Sequence, residues 1–286
     1  PTTRIFGRVD TKVTVTSDGE YMLIAAYSLS ILLMVVLPIL LVVYLTRKFS
    51  LSWKLALAGA LTFIGSQILH IPVVYGLTAL FQNGTLSIPA AWTAVFNAIV
   101  LGLLAGIFEE TARWILFTFG LKKAKTWNEG VLVGAGHGGV EALILGLLVL
   151  TSLVSMILMR NGDLSAFGVP ADQLELAKQQ VDAFWNTPVY MAFLGAVERI
   201  FAICLHLSLS VMVLYSVVYK RPMWFWIALL WHALVDAVAV YFLPIVGALA
   251  IEGIIGVLAA ISLWILFTMR PWFVEGEPAL PITETQ

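Results

Sequence analysis

Cysteine and charged residues are scarce in this sequence. The 286 residues include one cysteine, Cys204, in an apolar run, which excludes a disulfide framework and a cysteine-rich metal site. Only 12% of the residues are charged, and a formal net charge of -1 gives no reason to expect nucleic acid as a partner. With 60% hydrophobic residues and a mean hydropathy of +0.96, the composition lies outside the range of soluble globular proteins.

Long apolar runs dominate the chain, and seven of them reach the length of about 20 residues that a membrane-spanning helix needs. Backbone hydrogen bonds cannot be left open in lipid, and the runs lack the alternation of a β-barrel. We therefore predict an all-α, polytopic transmembrane helix bundle. The predicted spans are 22–46, 55–81, 91–120, 130–158, 189–219, 223–243 and 246–269.

The distribution of lysine and arginine predicts the orientation. Nine of these residues follow the odd-numbered spans, whereas the other side has Arg160, Lys178 and three in the amino-terminal tail. The positive-inside rule then places the amino terminus outside and the carboxyl terminus in the cytoplasm of a bacterial or archaeal cell. We predict an extramembrane segment 1–21, one transmembrane domain 22–270 with an outer connection at 161–188, and a cytoplasmic tail 271–286. The first twenty residues contain no apolar core of a cleavable signal peptide.

Three charged residues, Glu109, Glu110 and Arg113, interrupt the third span. Each costs about 3 kcal/mol on insertion scales, so such a charge usually serves a function or has a buried partner. Neighbouring helical positions are 100° apart, so at most one of the two glutamates can point straight into a common site. We predict that one glutamate faces a polar cavity and that Arg113 holds the other.

Polar residues of three further spans lie at a similar depth. With a rise of about 1.5 Å per residue from the cytoplasmic end, Glu110 lies about 15 Å deep, His137 about 10 Å, His232 about 14 Å and His206 about 20 Å. The predicted site therefore lies between spans three, four, five and six. Glycines 134, 136, 138 and 139 surround His137, either for close helix packing or to leave room for substrate or water.

Acidic residues accompany these histidines. Glu141 follows His137, and Asp236 follows His232, at a spacing of four that puts each pair on one helix face. Five acids against two arginines leave a charge of about -3 in the spans, which requires protonation, water, charged histidine or a divalent metal, and hence a polar cavity. The seven residues counted are Glu109, Glu110, Glu141, Glu198, Asp236, Arg113 and Arg199.

Ordered motifs in successive spans resemble the YhfC-type branch of the CPBP superfamily of intramembrane proteases, named for CAAX and bacteriocin processing and related to the PrsW type. The motifs are Phe108-Glu109-Glu110-Thr111-Ala112-Arg113, Gly136-His137-Gly138-Gly139-Val140-Glu141-Ala142, Glu198-Arg199 with His206, and His232-Ala233-Leu234-Val235-Asp236. The resemblance implies a helical membrane core in which a glutamate of the first motif activates water and histidines of two later helices complete the site. The middle histidine is His137 or His206.

Two departures from the pattern concern individual residues. The CAAX proteases have three residues between the diacid and the arginine where this chain has two, which leaves the choice between Glu109 and Glu110 as base open. Asp236 stands where many relatives have asparagine, which favours orientation of His232 over an oxyanion-stabilising role.

The resulting hypothesis is a peptidase that cleaves a membrane-associated peptide or protein within the lipid bilayer. Glu109 or Glu110 would be the general base, with Arg113 fixing the diacid. The histidines would hold water directly or through a divalent ion such as zinc, oriented and supported by acids and an arginine. The metal candidates are His137, His206 and His232, and the supporting residues are Asp236, Glu141, Glu198 and Arg199.

Two other classes of function use the same residues. A transporter could employ them as a proton or ion relay, although the sequence shows no internal repeat. A non-catalytic scaffold or chaperone could use the polar core to specify helix packing alone.

Overall fold

The computed structural model describes residues 17–273, and this part of the chain is helical without strands. A strand that residues 13–16 could form, and most of the predicted tail, lie outside the described residues. The α-helices are α1 Ser17–Lys48, α2 Lys54–Gln82, α3 Thr93–Ile115, α4 Trp127–Asn161, α5 Leu174–Trp185, α6 Leu194–Val218, α7 Met223–Val246 and α8 Ala248–Met269. Short helical segments are Ala90–Trp92, Leu116–Gly120, Leu164–Phe167, Ala171–Gln173, Val189–Phe193 and Arg270–Trp272.

The seven predicted spans are confirmed as helices long and apolar enough to cross a membrane. Helices extend beyond the apolar runs at ends where their polar residues find interaction partners. In helix α1, Asp18 and Glu20 lie in the first described turn, where they interact favourably with the helix dipole. Glu20 Oε1 also accepts a 2.6 Å hydrogen bond from Arg160 near the end of α4.

Helix α6 lies at the centre of the bundle. It packs against α4, α7 and α8, and 67% of its most apolar segment is buried, against at most 28% in any other span. The connection 161–188 contains the amphipathic helix α5, which buries Val181 and Trp185 against Leu23 and Ala26 of α1. The polar residues of α6 and of its neighbours therefore lie in the interior of the bundle.

Glycines allow the helices around the site to approach one another closely. A Cβ atom at Gly136 of α4 would lie 1.9 Å from the carbonyl oxygen of Ala56 in α2. A Cβ atom at Gly134 would lie 2.6 Å from the carbonyl oxygen of His206 in α6. The interpretation of these glycines as room for substrate or water is thus wrong at both positions, because neighbouring backbone fills the space.

The same close approach makes Gly102 of α3 essential for packing against α7. A Cβ atom there would lie 2.3 Å from the carbonyl oxygen of Ala233, so we expect Gly102→Ala to lower the free energy of unfolding by about 1–3 kcal/mol. Gly65→Ala is the matched control, since a Cβ at Gly65 meets no atom within 4 Å. Titration with a denaturing detergent, followed by circular dichroism, measures both, and equal stability of the two variants would contradict the packing.

Candidate functional site

Glu110 of α3 is held in a fully buried network with Arg113. Both residues are 0% exposed, and Arg113 Nη1 donates to Glu110 Oε1. The same oxygen lies 2.7 Å from His232 Nδ1 on α7, and Arg113 Nη2 lies 2.7 Å from His206 Nδ1 on α6. Glu110 and Arg113 therefore fix two imidazoles from neighbouring helices.

Glu109 points in another direction, into the space between the histidines. Its Oε2 atom lies 3.0 Å from His137 Nε2 and 3.9 Å from His232 Nε2. Its Oε1 atom accepts a hydrogen bond from Gln67 Nε2 of α2 at 3.3 Å. Glu109 therefore lines the cavity while Glu110 accepts the hydrogen bond from Arg113, although Arg113 Nη2 also lies 3.8 Å from Glu109 Oε2.

Three histidines from α4, α6 and α7 converge beside this carboxylate. The ring centroid of His206 lies 5.0 Å from that of His137 and 5.5 Å from that of His232. All three side chains are buried, at 0 to 3% exposure. The similar depths counted along the sequence therefore correspond to a real cluster.

One of the two acids expected to orient the imidazoles has a partner other than the one that the spacing indicates. Glu141 Oε2 lies 2.6 Å from Nε2 of His206 on the neighbouring helix, rather than pairing with His137 on its own helix. Asp236 Oδ2 is 3.6 Å from His232 Nε2, beyond hydrogen-bond distance, whereas Glu110 lies within it at Nδ1. A contact between helices thus replaces the predicted pair of Glu141, whereas Asp236 keeps a longer contact with His232 on its own helix.

Arg199 extends the network along α6. Its Nη1 and Nη2 atoms each lie 2.5 Å from a carboxylate oxygen, of Glu141 and Glu198 respectively. The sequence count of charges omitted Glu252 of α8, whose Oε2 atom is buried without a hydrogen-bond partner in the described structure. Six acids against two arginines give a formal charge of -4, and the side chains of Glu198 and Asp236 are 42% and 37% exposed, so water compensates part of it.

Two residues of α2 complete the site and were missed in the sequence. Thr62 Oγ1 lies 2.9 Å from His137 Nδ1, and Gln67 binds Glu109. The detectable signal was a polar stripe in an apolar span, since Thr62, Ser66, Gln67 and His70 recur at helical spacing. The charged residues and the histidines at one depth had directed the prediction to other helices.

A small cavity and a wider cleft meet at the site. The cavity has a volume of about 90 Å³ and is lined by Glu109, His206, His232 and Asp236, among others. The cleft, of about 580 Å³, lies mainly between α2, α3 and α7. Asp236 and Glu198 belong to the walls of both. Further residues of the cleft are Gln67, His70, Tyr75, Leu101, Ala105 and Val240.

The buried cluster has donor atoms suitable for a divalent cation. One ligand atom each from Glu109, His206 and His232 lies within 4.8 Å of the others. Nitrogen and carboxylate ligands suit zinc. This group contains Glu109 where the sequence proposed His137. The Nε2 atom of His137 nevertheless lies closer to Glu109 Oε2, at 3.0 Å, than the Nε2 atom of His232 does, at 3.9 Å.

Comparisons with known proteins support a specific family. The profile of the family described as YhfC intramembrane metalloprotease matches residues 33–259. The uncharacterized membrane protein YhfC of Bacillus subtilis (strain 168) is 35% identical over 240 residues, which cover 82% of this chain and 92% of that protein. No solved structure matches this sequence. The seven apolar helices and this relative identify an integral membrane protein, and the chain belongs to the YhfC intramembrane metalloprotease family.

Proposed function

We propose that this protein is an intramembrane metallopeptidase that hydrolyses a peptide bond in a membrane-associated peptide or protein. The observation that carries the proposal is the position of Glu109, whose carboxylate faces imidazole nitrogens from two other helices inside a buried cavity. The description of the family supports it. Membership of the wider CPBP superfamily remains a prediction from the motifs.

The residues that would hold the metal are Glu109, His232 and a second histidine, His137 or His206. A divalent cation bound there would supply a Lewis acid for the scissile carbonyl group. Glu110 would hold His232 by accepting a hydrogen bond from the Nδ1 atom of the imidazole. A metal-binding imidazole usually donates its second N–H to an oxygen in this way. Arg113 would keep Glu110 in place.

Asp236 is the residue that we propose to move the proton. If Glu109 binds the metal and Arg113 holds Glu110, the base function that the sequence gave to the diacid needs another carboxylate. Asp236 has a 37% exposed side chain and lies in the wall shared by the cavity and the cleft. It would take a proton from the attacking water and deliver it to the leaving amine.

The cleft is the proposed path of the substrate to the site. From Gln67 and Asp236 it extends along α2 and α7 to Tyr75 and Val240, toward the helix ends opposite the lysine-rich and arginine-rich connections. If the predicted orientation holds, the substrate approaches from outside the cytoplasm of a bacterial cell. The cleft also has room for several side chains.

Removal of the metal tests the proposed chemistry. The protein in lipid nanodiscs is incubated with a mixed library of apolar peptides, and products are identified by mass spectrometry. We expect cleavage that is lost after treatment with a chelator and restored by zinc. If elemental analysis shows that the protein contains no metal and cleavage still occurs, the proposed role of the metal is contradicted. Proton flux in sealed vesicles without any cleavage would favour a transporter.

Asp236→Asn separates proton transfer from metal binding. We expect the variant to keep the zinc content of the wild type and to lose about 10²–10⁴-fold in cleavage rate, because the amide cannot accept the proton. Glu252→Gln, which removes another membrane-embedded carboxylate, is the control and should cleave normally. A rate for Asp236→Asn equal to that of Glu252→Gln would exclude Asp236 as the base.

A further inference from the structure

We infer that Thr62 of α2 is a positioning residue that fixes the tautomer of His137, so that His137 and not His206 is the second histidine ligand. The inference rests on the proposed metal site and assigns its ligands. By distance alone, His206 joins Glu109 and His232, because their ligand atoms lie within 4.8 Å of one another. The hydrogen bonds of each imidazole lead to a different set.

The hydroxyl group of Thr62 has a single hydrogen, and its partner is known. Thr62 Oγ1 donates to the carbonyl oxygen of Gly59 at 2.6 Å. Toward His137 Nδ1, at 2.9 Å, the same oxygen must therefore act as the acceptor. The hydrogen of the neutral imidazole then lies on Nδ1, and Nε2 has a free lone pair.

That lone pair faces an oxygen that is also an acceptor. His137 Nε2 lies 3.0 Å from Glu109 Oε2, and the histidine is 0% exposed. Two acceptors at this distance repel each other unless a cation or a proton lies between them. A divalent ion bound by both atoms removes the repulsion.

A different acceptor places the ring hydrogen of His232 on Nδ1 in the same way. This Nδ1 atom lies 2.7 Å from Glu110 Oε1, the oxygen that accepts from Arg113 Nη1, so Nδ1 carries the hydrogen that is donated to it. The Nε2 atom of His232 is then free and lies 3.9 Å from Glu109 Oε2. Both imidazoles thus direct an Nε2 lone pair toward the same oxygen.

His206 has no lone pair to spare. A guanidinium group only donates, so His206 Nδ1 accepts from Arg113 Nη2 at 2.7 Å. The ring hydrogen then lies on Nε2 and is donated to Glu141 Oε2 at 2.6 Å. His206 is therefore a strut between Arg113 and Glu141, and the ligands are Glu109, His137 and His232.

Zinc affinity tests the assignment independently of cleavage. Competition with a chromogenic chelator should show that Thr62→Val, which keeps the side-chain shape, binds zinc about 10–100-fold more weakly than the wild type. Thr62→Ser keeps the hydroxyl and should bind within about threefold of wild type. Equal affinity of the Val and Ser variants would overturn the positioning role.

Two glutamine substitutions test the choice of histidine. His137→Gln should lose the zinc, whereas His206→Gln should retain one ion per chain, because a carboxamide can accept from Arg113 and donate to Glu141 as the imidazole does. Retention by His137→Gln with loss from His206→Gln would overturn the assignment. A wild-type protein that binds no zinc would overturn both the assignment and the proposed metallopeptidase.

The tautomer can be read without metal. The chain has four histidines, so nitrogen-15 NMR of histidine-labelled, metal-free protein in nanodiscs can be assigned by single substitutions. We expect His137 to have its hydrogen on Nδ1 in the wild type and to lose this preference in Thr62→Val. If Nε2 of His137 carries a hydrogen, in a neutral or in a charged ring, the role of Thr62 is overturned. The proposed function is then still tested separately by the cleavage assay.

Discussion

Replacing Arg113 with methionine is expected to lower the free energy of unfolding by about 3–5 kcal/mol. Arg113 is 0% exposed, and its guanidinium binds Glu110 Oε1 and His206 Nδ1. Without it, the carboxylate of Glu110, which is 0% exposed, loses its charged partner. The lone pair of His206 also loses its donor. The cost is large because an isolated buried charge is far less stable than a buried ion pair.

A double substitution separates this cause from the loss of packing. Arg113→Met combined with Glu110→Gln removes the uncompensated charge, while the Gln oxygen can still accept from His232. We expect it to recover more than half of the lost stability. Arg160→Met is the matched control, since Arg160 forms partly exposed ion pairs with Glu20 and Asp182, each worth about 1 kcal/mol or less.

Detergent-induced unfolding, followed by circular dichroism in mixed micelles, measures all three variants. A cost below about 1 kcal/mol for Arg113→Met would contradict the structural role of Arg113. A double variant no more stable than Arg113→Met would show that packing, and not the buried charge of Glu110, sets the cost.

Glu109→Gln is expected to abolish zinc binding and to reduce cleavage by about 10³-fold or more. A catalytic metal contributes several kcal/mol to transition-state stabilisation, and each 1.36 kcal/mol corresponds to about a factor of ten in rate. The amide keeps the shape of the side chain and its contact with Gln67, so the fold should survive. What it lacks is the charge that faces the imidazoles of His137 and His232.

Glu252→Gln is again the control, because Glu252 is a membrane-embedded glutamate outside the histidine cluster. Elemental analysis gives the zinc content, and the peptide-library assay gives the rate. If Glu109→Gln kept both the zinc and the cleavage rate of Glu252→Gln, Glu109 would be neither ligand nor base, and the scaffold hypothesis would gain support.

The sequence was sufficient to predict the spans, and it predicted that the two glutamates differ in role without saying which one faces the cavity. Span prediction succeeds because lipid allows few alternatives to a helix of about 20 apolar residues. The separation of Glu109 from Glu110 follows from helix geometry, since adjacent residues cannot face the same cavity. Both predictions need only the geometry of a single helix and the properties of the lipid that surrounds it.

The choice of partners between helices was not predictable in the same way. Glu141 could reach His137 on its own helix, yet it lies against His206 because Gly134 brings α4 and α6 together at this level. Thr62 gained its role only when Gly136 allowed α2 to approach α4 closely. These contacts depend on how the helices pack side by side, which cannot be derived from the spacing of residues along one helix.

The location of a bound ion tests the central claim most directly. Anomalous diffraction at the zinc absorption edge, from crystals of protein supplied with zinc, gives the position of the ion without any assay. We expect one peak about 2.0–2.2 Å from a carboxylate oxygen of Glu109 and from Nε2 of both His137 and His232. An ion that does not touch Glu109, or no ion in the cluster, would contradict the account.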